Sequence, residues 1–248
     1  MARRGILIGV VALVAFTFAI PQSAQTCTVF AENFECYVAG TYPAPKWTNM
    51  FDGVSGYVTD EQAHNGAQSF RSESLPNWAR WDYAAVPLLD ITIYRAAVYL
   101  TAADRGCFVG FGFMEPGTTN TGRVANGVHF ANDGVIYFTT RTAGGMALGN
   151  WMPGRWYEVE VRLDYMTLLA DVWIDGAQVA YNIGADPKIL PASIYGVEVP
   201  LNQFGMFGDN FTGTGTSVVY YDDMYVTCDM PVPVTPSNWG RIKALYGD

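Results

Sequence analysis

Residues 156–164 alternate without a break. Tyr157, Val159, Val161 and Leu163 fall on one side, and Glu158, Glu160 and Arg162 on the other. A period of two is the geometry of a strand with one face in a core and the other in water; a helix would scatter these side chains around its circumference. Segments 168–174 and 177–182 flank Asp175-Gly176, and segments 128–131 and 135–140 flank Asn132-Asp133-Gly134. Asp-Gly between apolar runs is a strong hairpin signal, because both turn positions favour positive φ. Further short runs at 28–37, 66–71, 91–101, 107–114 and 218–228 read as strands, and none of the segments between them keeps a helical period. Many short strands with turns between them and no interleaved helices predict an all-β, two-sheet antiparallel sandwich. With 248 residues, half of them hydrophobic, the chain can fill the core of one such domain.

The two ends carry different information. Arg3 and Arg4 precede an uncharged apolar run over 5–20, then Pro21 and the small pair Ser23-Ala24. This layout predicts a secretory signal peptide over 1–24, the run being short for a membrane span. Removing its two arginines takes the net charge from −9 to −11. The remaining basic residues are scattered, so nucleic-acid binding is disfavoured, whereas a neutral glycan or a calcium ion suits an acidic exported protein. Export makes disulfides plausible among Cys27, Cys36, Cys107 and Cys228, with three connectivities open. Beyond a domain expected over 27–229, residues 230–236 form a proline-rich linker. Residues 237–248 form a short helical tail, capped by Ser237 and carrying Trp239, Ile242 and Leu245 on one face. So short a helix does not hold alone in water, so the tail either docks on an envelope partner or stays loose.

The order of the segments resembles the concanavalin A-like lectin/glucanase superfamily, in particular the laminin G-like jelly rolls of secreted bacterial proteins. The residues that carry the likeness are Asn33-Phe34-Glu35 with Gly40 and Trp47, then segments 66–70, 78–83, 128–137, 151–157, 172–176 and 222–226. The resemblance covers roughly residues 28–228. It implies a jelly roll whose first and last strands pair, bridging Cys27 to Cys228 and leaving Cys36 with Cys107. It also implies a structural Ca²⁺ held by Glu32, Glu35, carbonyls near Gly66, and Asp223. Asp222 is expected to point to the other face of its strand. By family position, Trp47, Trp156 and Trp173 are core residues.

A fold of this kind hosts many activities, so function has to come from a site. The reading is a secreted, non-catalytic, lectin-like module. Its proposed sugar surface has Trp78, Trp81, Tyr83 and Trp151 as stacking rings and Arg80, Asp82 and Asn150 as hydrogen-bonding groups. The alternatives are a glycan-degrading enzyme and a structural or adhesive surface protein. For the enzyme, Glu158 and Glu160 stand on one strand face about 6.5–7 Å apart, close to the spacing of glycosidase carboxylate pairs. The Glu-x-Asp-x-x-Glu signature of related β-glucanases is absent, and an ion pair between Glu160 and Arg162 explains the same residues more simply.

Overall fold

The computed structural model describes residues 25–49, 56–74, 79–102, 106–117, 122–142, 144–209 and 217–230. The expected signal segment, proline-rich linker and tail lie outside them, and residues 26–230 form one compact unit. Among the described residues no helix is long and apolar enough to cross a membrane.

Two antiparallel sheets make up the unit. The first runs, edge to edge, through Ala177–Gly184, Leu169–Ile174, Trp156–Asp164, Ile91–Leu100, Ser217–Met230, Ser69–Ser74 and Gly56–Thr59, with Gln25–Glu32 also pairing with Ser217–Met230. The second runs through Gly144–Asn150, Val135–Thr140, Gly122–Phe130, Gly106–Met114, Gln203–Asp209, Ala79–Ala85 and Thr48–Asn49. A small ladder joins Ile189–Leu190 to Val199–Pro200, and the only helix among the described residues is the single turn Ala192–Tyr195.

The alternation at 156–164 does what its period requires. Tyr157, Val159, Val161 and Leu163 are buried in the main core, while Glu158, Glu160 and Arg162 face outward. Both Asp175 and Gly176 have positive φ, the conformation the Asp-Gly turn calls for. Several expected boundaries shift. The first strand ends at Glu32 instead of running to Tyr37, because Glu32 accepts a hydrogen bond from the Phe34 N–H and the chain turns there, with Phe34 at φ 60°. The glycines of 107–114 and 203–209 lie in adjacent strands. A methyl group at Gly112 would meet the Trp81 ring at 2.8 Å and the Arg123 carbonyl at 2.4 Å, so close packing fixes glycine there.

The first and last strands are tied by a Cys27–Cys228 disulfide, with Cα atoms 5.2 Å apart and a sequence separation of 201. The expected second bridge is absent: Cys36 is an exposed thiol and Cys107 a buried one. Cys107 stands on an inner-face position of the second sheet with its side chain in the core, whereas Cys36 lies on a surface turn.

Candidate functional site

A cleft of about 530 Å³ opens on the outer face of the first sheet. Its floor is built from three neighbouring strands. Trp156–Asp164 supplies Glu158 and Glu160, Ile91–Leu100 supplies Arg95 and Ala97, and Leu169–Ile174 supplies Trp173. Asp223 and Tyr225 come from Ser217–Met230, and one wall is the loop before Ser69–Ser74, which brings His64 and Asn65. Trp173 and Tyr225 are half-buried, with part of each side chain open to solvent. Trp156 packs against Tyr99 with ring centres 5.5 Å apart. Trp156 and Trp173 are therefore outer-face residues, contrary to expectation. Within Leu169–Ile174 it is Ala170, Val172 and Ile174 that turn inward, so Trp173 shares the outer side with Asp171.

Ion pairs order this floor. Arg95 donates to Glu160 at 2.8 Å, which replaces the expected Glu160–Arg162 pair; Arg162 instead faces Asp171 and Asp229. The pairing follows the register, because Glu160 lies directly opposite Arg95 on the neighbouring strand. His64 stands between two carboxylates, with Nδ1 2.8 Å from Asp223 and Nε2 3.2 Å from Glu158. Both contacts are hydrogen bonds when both ring nitrogens carry protons. Asp222 is fully buried and accepts from the backbone N–H groups of His64 and Asn65. Its burial pushes the carboxyl up to about 6, against the pull of those N–H donors and with a push from neighbouring Asp223.

Among those of the expected sugar-surface residues whose side chains the structure describes, no shared surface forms. Trp81 is completely buried, packed against Phe207 at 5.8 Å and over Gly112. Asp82 is also buried and accepts from the Tyr42 hydroxyl. Trp151 is 5% exposed, and its indole N–H donates to the Ala131 carbonyl, so its ring is a core element. Tyr83 is half-buried beside Trp81. Asn150 is exposed at the end of Gly144–Asn150 and lines a separate cavity of about 330 Å³ with Met152, Arg155 and Tyr157. The backbone of Arg80 lies in Ala79–Ala85, and Trp78 lies outside the described residues. What the sequence left unremarked is a row of rings across the outer face of the second sheet. Phe108 stacks on His129 at 3.7 Å, and Tyr137 follows at 6.3 Å. Burial lowers His129 to about 4.

The calcium donor set does not assemble either. Glu32 is 5% exposed and already engaged by Lys46 at 3.0 Å, the Tyr37 hydroxyl at 3.0 Å and the Trp47 indole N–H. Glu35 does lie against Gly66, but its Oε1 accepts the Ala67 and Gln68 N–H groups at 2.8 and 2.9 Å. Asp223 faces His64, and no group of three metal-ligating side chains occurs among the described residues. A cation needs several free oxygens around one point; here they are taken by protein donors, so the expected set does not fit calcium.

No family model matches the chain, and no curated protein is significantly similar to it. Solved structures do share its architecture. The catalytic domain of the glycoside hydrolase family 131 protein from Coprinopsis cinerea superposes with a TM-score of 0.53 at 10% identity, over 84% of this chain and 96% of that one. The shared architecture is a two-sheet antiparallel β-sandwich. A sialidase aligns with a TM-score of 0.51 at 12% identity over 73% of this chain, which spans only 17% of the sialidase's length. The CBM22-1 xylan-binding domain of Paenibacillus barcinonensis Xyn10C gives 0.40 at 12% identity, over 85% and 99%. At such identities the likeness to the family 131 domain and to the sialidase speaks for the fold alone.

Proposed function

We propose that this domain is a secreted, non-catalytic module that binds a glycan in the first-sheet cleft. The observation that carries the reading is the cleft itself. It offers partly exposed Trp173 and Tyr225 rings beside Glu158, Glu160, Arg95 and Asn65 within about 530 Å³. Small-molecule sites combine apolar and aromatic walls with a few fixed polar groups. A sugar ring presents apolar C–H faces and a rim of hydroxyls, so it matches both halves of that lining. That a glycoside hydrolase family 131 catalytic domain shares this architecture supports the reading. The Cys27–Cys228 bridge supports an exported protein, since disulfides persist in oxidising compartments. Residues 237–248 are assigned an envelope partner, a role tested by deleting them and measuring release from the cell surface.

A second reading, glycoside hydrolysis, is favoured by one fact: Glu158 and Glu160 share the cleft. The purified secreted chain should be applied to an array of neutral and acidic oligosaccharides, with bound protein and released reducing ends read together. Binding without release is the expected result. Release would move the assignment to hydrolysis, and silence in both channels would refute a glycan ligand.

A further inference from the structure

We propose that His64 is a positioning residue of this cleft, holding Glu158 toward the ligand through a chain of contacts that begins at the Asp222–Asp223 bulge; the proposal rests on the reading of the cleft as a glycan site. In a regular strand two successive residues point to opposite faces. Here the register with Ile91–Leu100 breaks: Asp222 faces Ala97, and pairing resumes with Tyr225 opposite Arg95. Asp223 and Met224 thus occupy the space of one residue, Ala96, which is a β-bulge. Asp223 takes φ 47°, and Met224 goes fully into the core. The extra residue turns the Asp223 carboxylate to the side on which Asp222 already stands, so both reach the same loop.

The two carboxylates divide the work. Asp222 takes the backbone N–H of His64 at 2.9 Å and that of Asn65 at 3.3 Å, which fixes the loop. Asp223 takes His64 Nδ1, which fixes the ring. Trp156 closes a third side of the imidazole with ring centres 5.5 Å apart. One polar atom of the ring is left, Nε2, and it meets Glu158 Oε1 at 3.2 Å. Glu158 is 64% exposed, so its side chain would otherwise be free to change rotamer. His64 selects the rotamer that presents the second carboxylate oxygen to the cleft. Arg95 does the same for Glu160 from the other side. The device is a bulge that converts a buried aspartate and its half-buried neighbour into the orientation of an exposed glutamate one strand beyond their neighbour.

Two measurements test this, one without ligand. The chain has only two histidines, so long-range ¹H–¹⁵N spectra of the imidazoles are readily assigned. Glu158→Gln should move the Nε2 resonance of His64 and Asp223→Asn chiefly its Nδ1 resonance, each compared with the unsubstituted protein at the same pH. An unchanged His64 ring in Glu158→Gln would overturn the proposal whatever the ligand. The second measurement is calorimetric affinity for cellohexaose as a neutral probe. His64→Ala and Glu158→Ala should each weaken binding about fivefold, and the double variant should be no weaker than Glu158→Ala alone. His64→Gln, which keeps an N–H donor near the Nε2 position, should recover most of the loss and also guards against a folding defect in the alanine variant. Losses that multiply in the double variant would overturn the proposal. If cellohexaose fails to bind and the array is silent too, the glycan reading falls, while the spectra still decide the role of His64.

Discussion

Replacing Cys27 and Cys228 together by serine removes a cross-link that closes almost the whole domain. The loop spans 201 positions, and chain-entropy arithmetic assigns such a closure roughly 5 kcal/mol at 25 °C. Native bridges in secreted domains cost about 2–5 kcal/mol when lost, so the double variant should lose about 3–5 kcal/mol. For a domain of this size that is a fall in Tm of about 6–20 °C. Urea unfolding of the oxidised protein and of the variant would measure it. The slope m should rise in the variant, because an uncrosslinked denatured chain exposes more surface. A loss below about 1 kcal/mol with an unchanged m would refute the reasoning, since it would mean that the bridge does not restrict the denatured ensemble. A thiol titration of the denatured, unreduced chain checks the pairing independently. Two reactive thiols, Cys36 and Cys107, are expected, and none would indicate a second bridge.

Trp81→Ala should cost about 3–5 kcal/mol of stability, as large buried rings do. Trp173→Ala should leave urea unfolding nearly unchanged while lowering glycan affinity about tenfold; the opposite pattern would move the sugar site to the second sheet. Asp222 adds a pH-dependent component. Its folded pKa of about 6 lies above the unfolded value near 4, so its stabilising effect is complete below about pH 4 and is lost as pH rises through about 6. A rise from about 4 to about 6 bounds the effect at roughly 3 kcal/mol. The stability difference between wild type and Asp222→Asn, followed from pH 4 to 7, isolates it; a flat difference would refute it. His129 works in the opposite sense. Lowered to about 4, it favours the folded state above about pH 6.5 and loses that contribution as pH falls through 4. His129→Phe should therefore flatten the acid side of a calorimetric stability profile, and an unchanged slope there would count against a buried neutral ring.

The sandwich was legible where local pattern and tertiary burial agree. The 156–164 alternation and the Asp175-Gly176 turn needed nothing from the rest of the chain. Gly144–Asn150 was hidden because Gly-Gly-Met-Ala-Leu-Gly-Asn lacks both alternation and β-branched residues. The site was harder for a different reason. Which tryptophan is exposed depends on the side of the sheet it takes, and composition does not record that: Trp81 fills space over Gly112, while Trp173 faces outward. Here a signal was available, since Ala170, Val172 and Ile174 already mark the inner side of Trp173's strand. Asp223 was misplaced relative to Asp222 because a bulge inverts the facing of every residue after it, and nothing local in 222–226 announces one. His64 and Glu158 are joined only by the pairing of distant strands, which no short window contains.

The Cys27–Cys228 bridge also decides how the domain carries mechanical load. A pull applied before Cys27 and after Cys228 runs through a covalent S–S link between two adjacent strands. The 200 residues enclosed by that link bear none of the tension. Under such a pull the sandwich behaves as an inextensible knot in a thread: it neither lengthens nor unfolds while the bridge holds. Reduction would turn the same domain into a spring that pays out its whole length, so stretching single molecules with and without reductant would read the bridge directly.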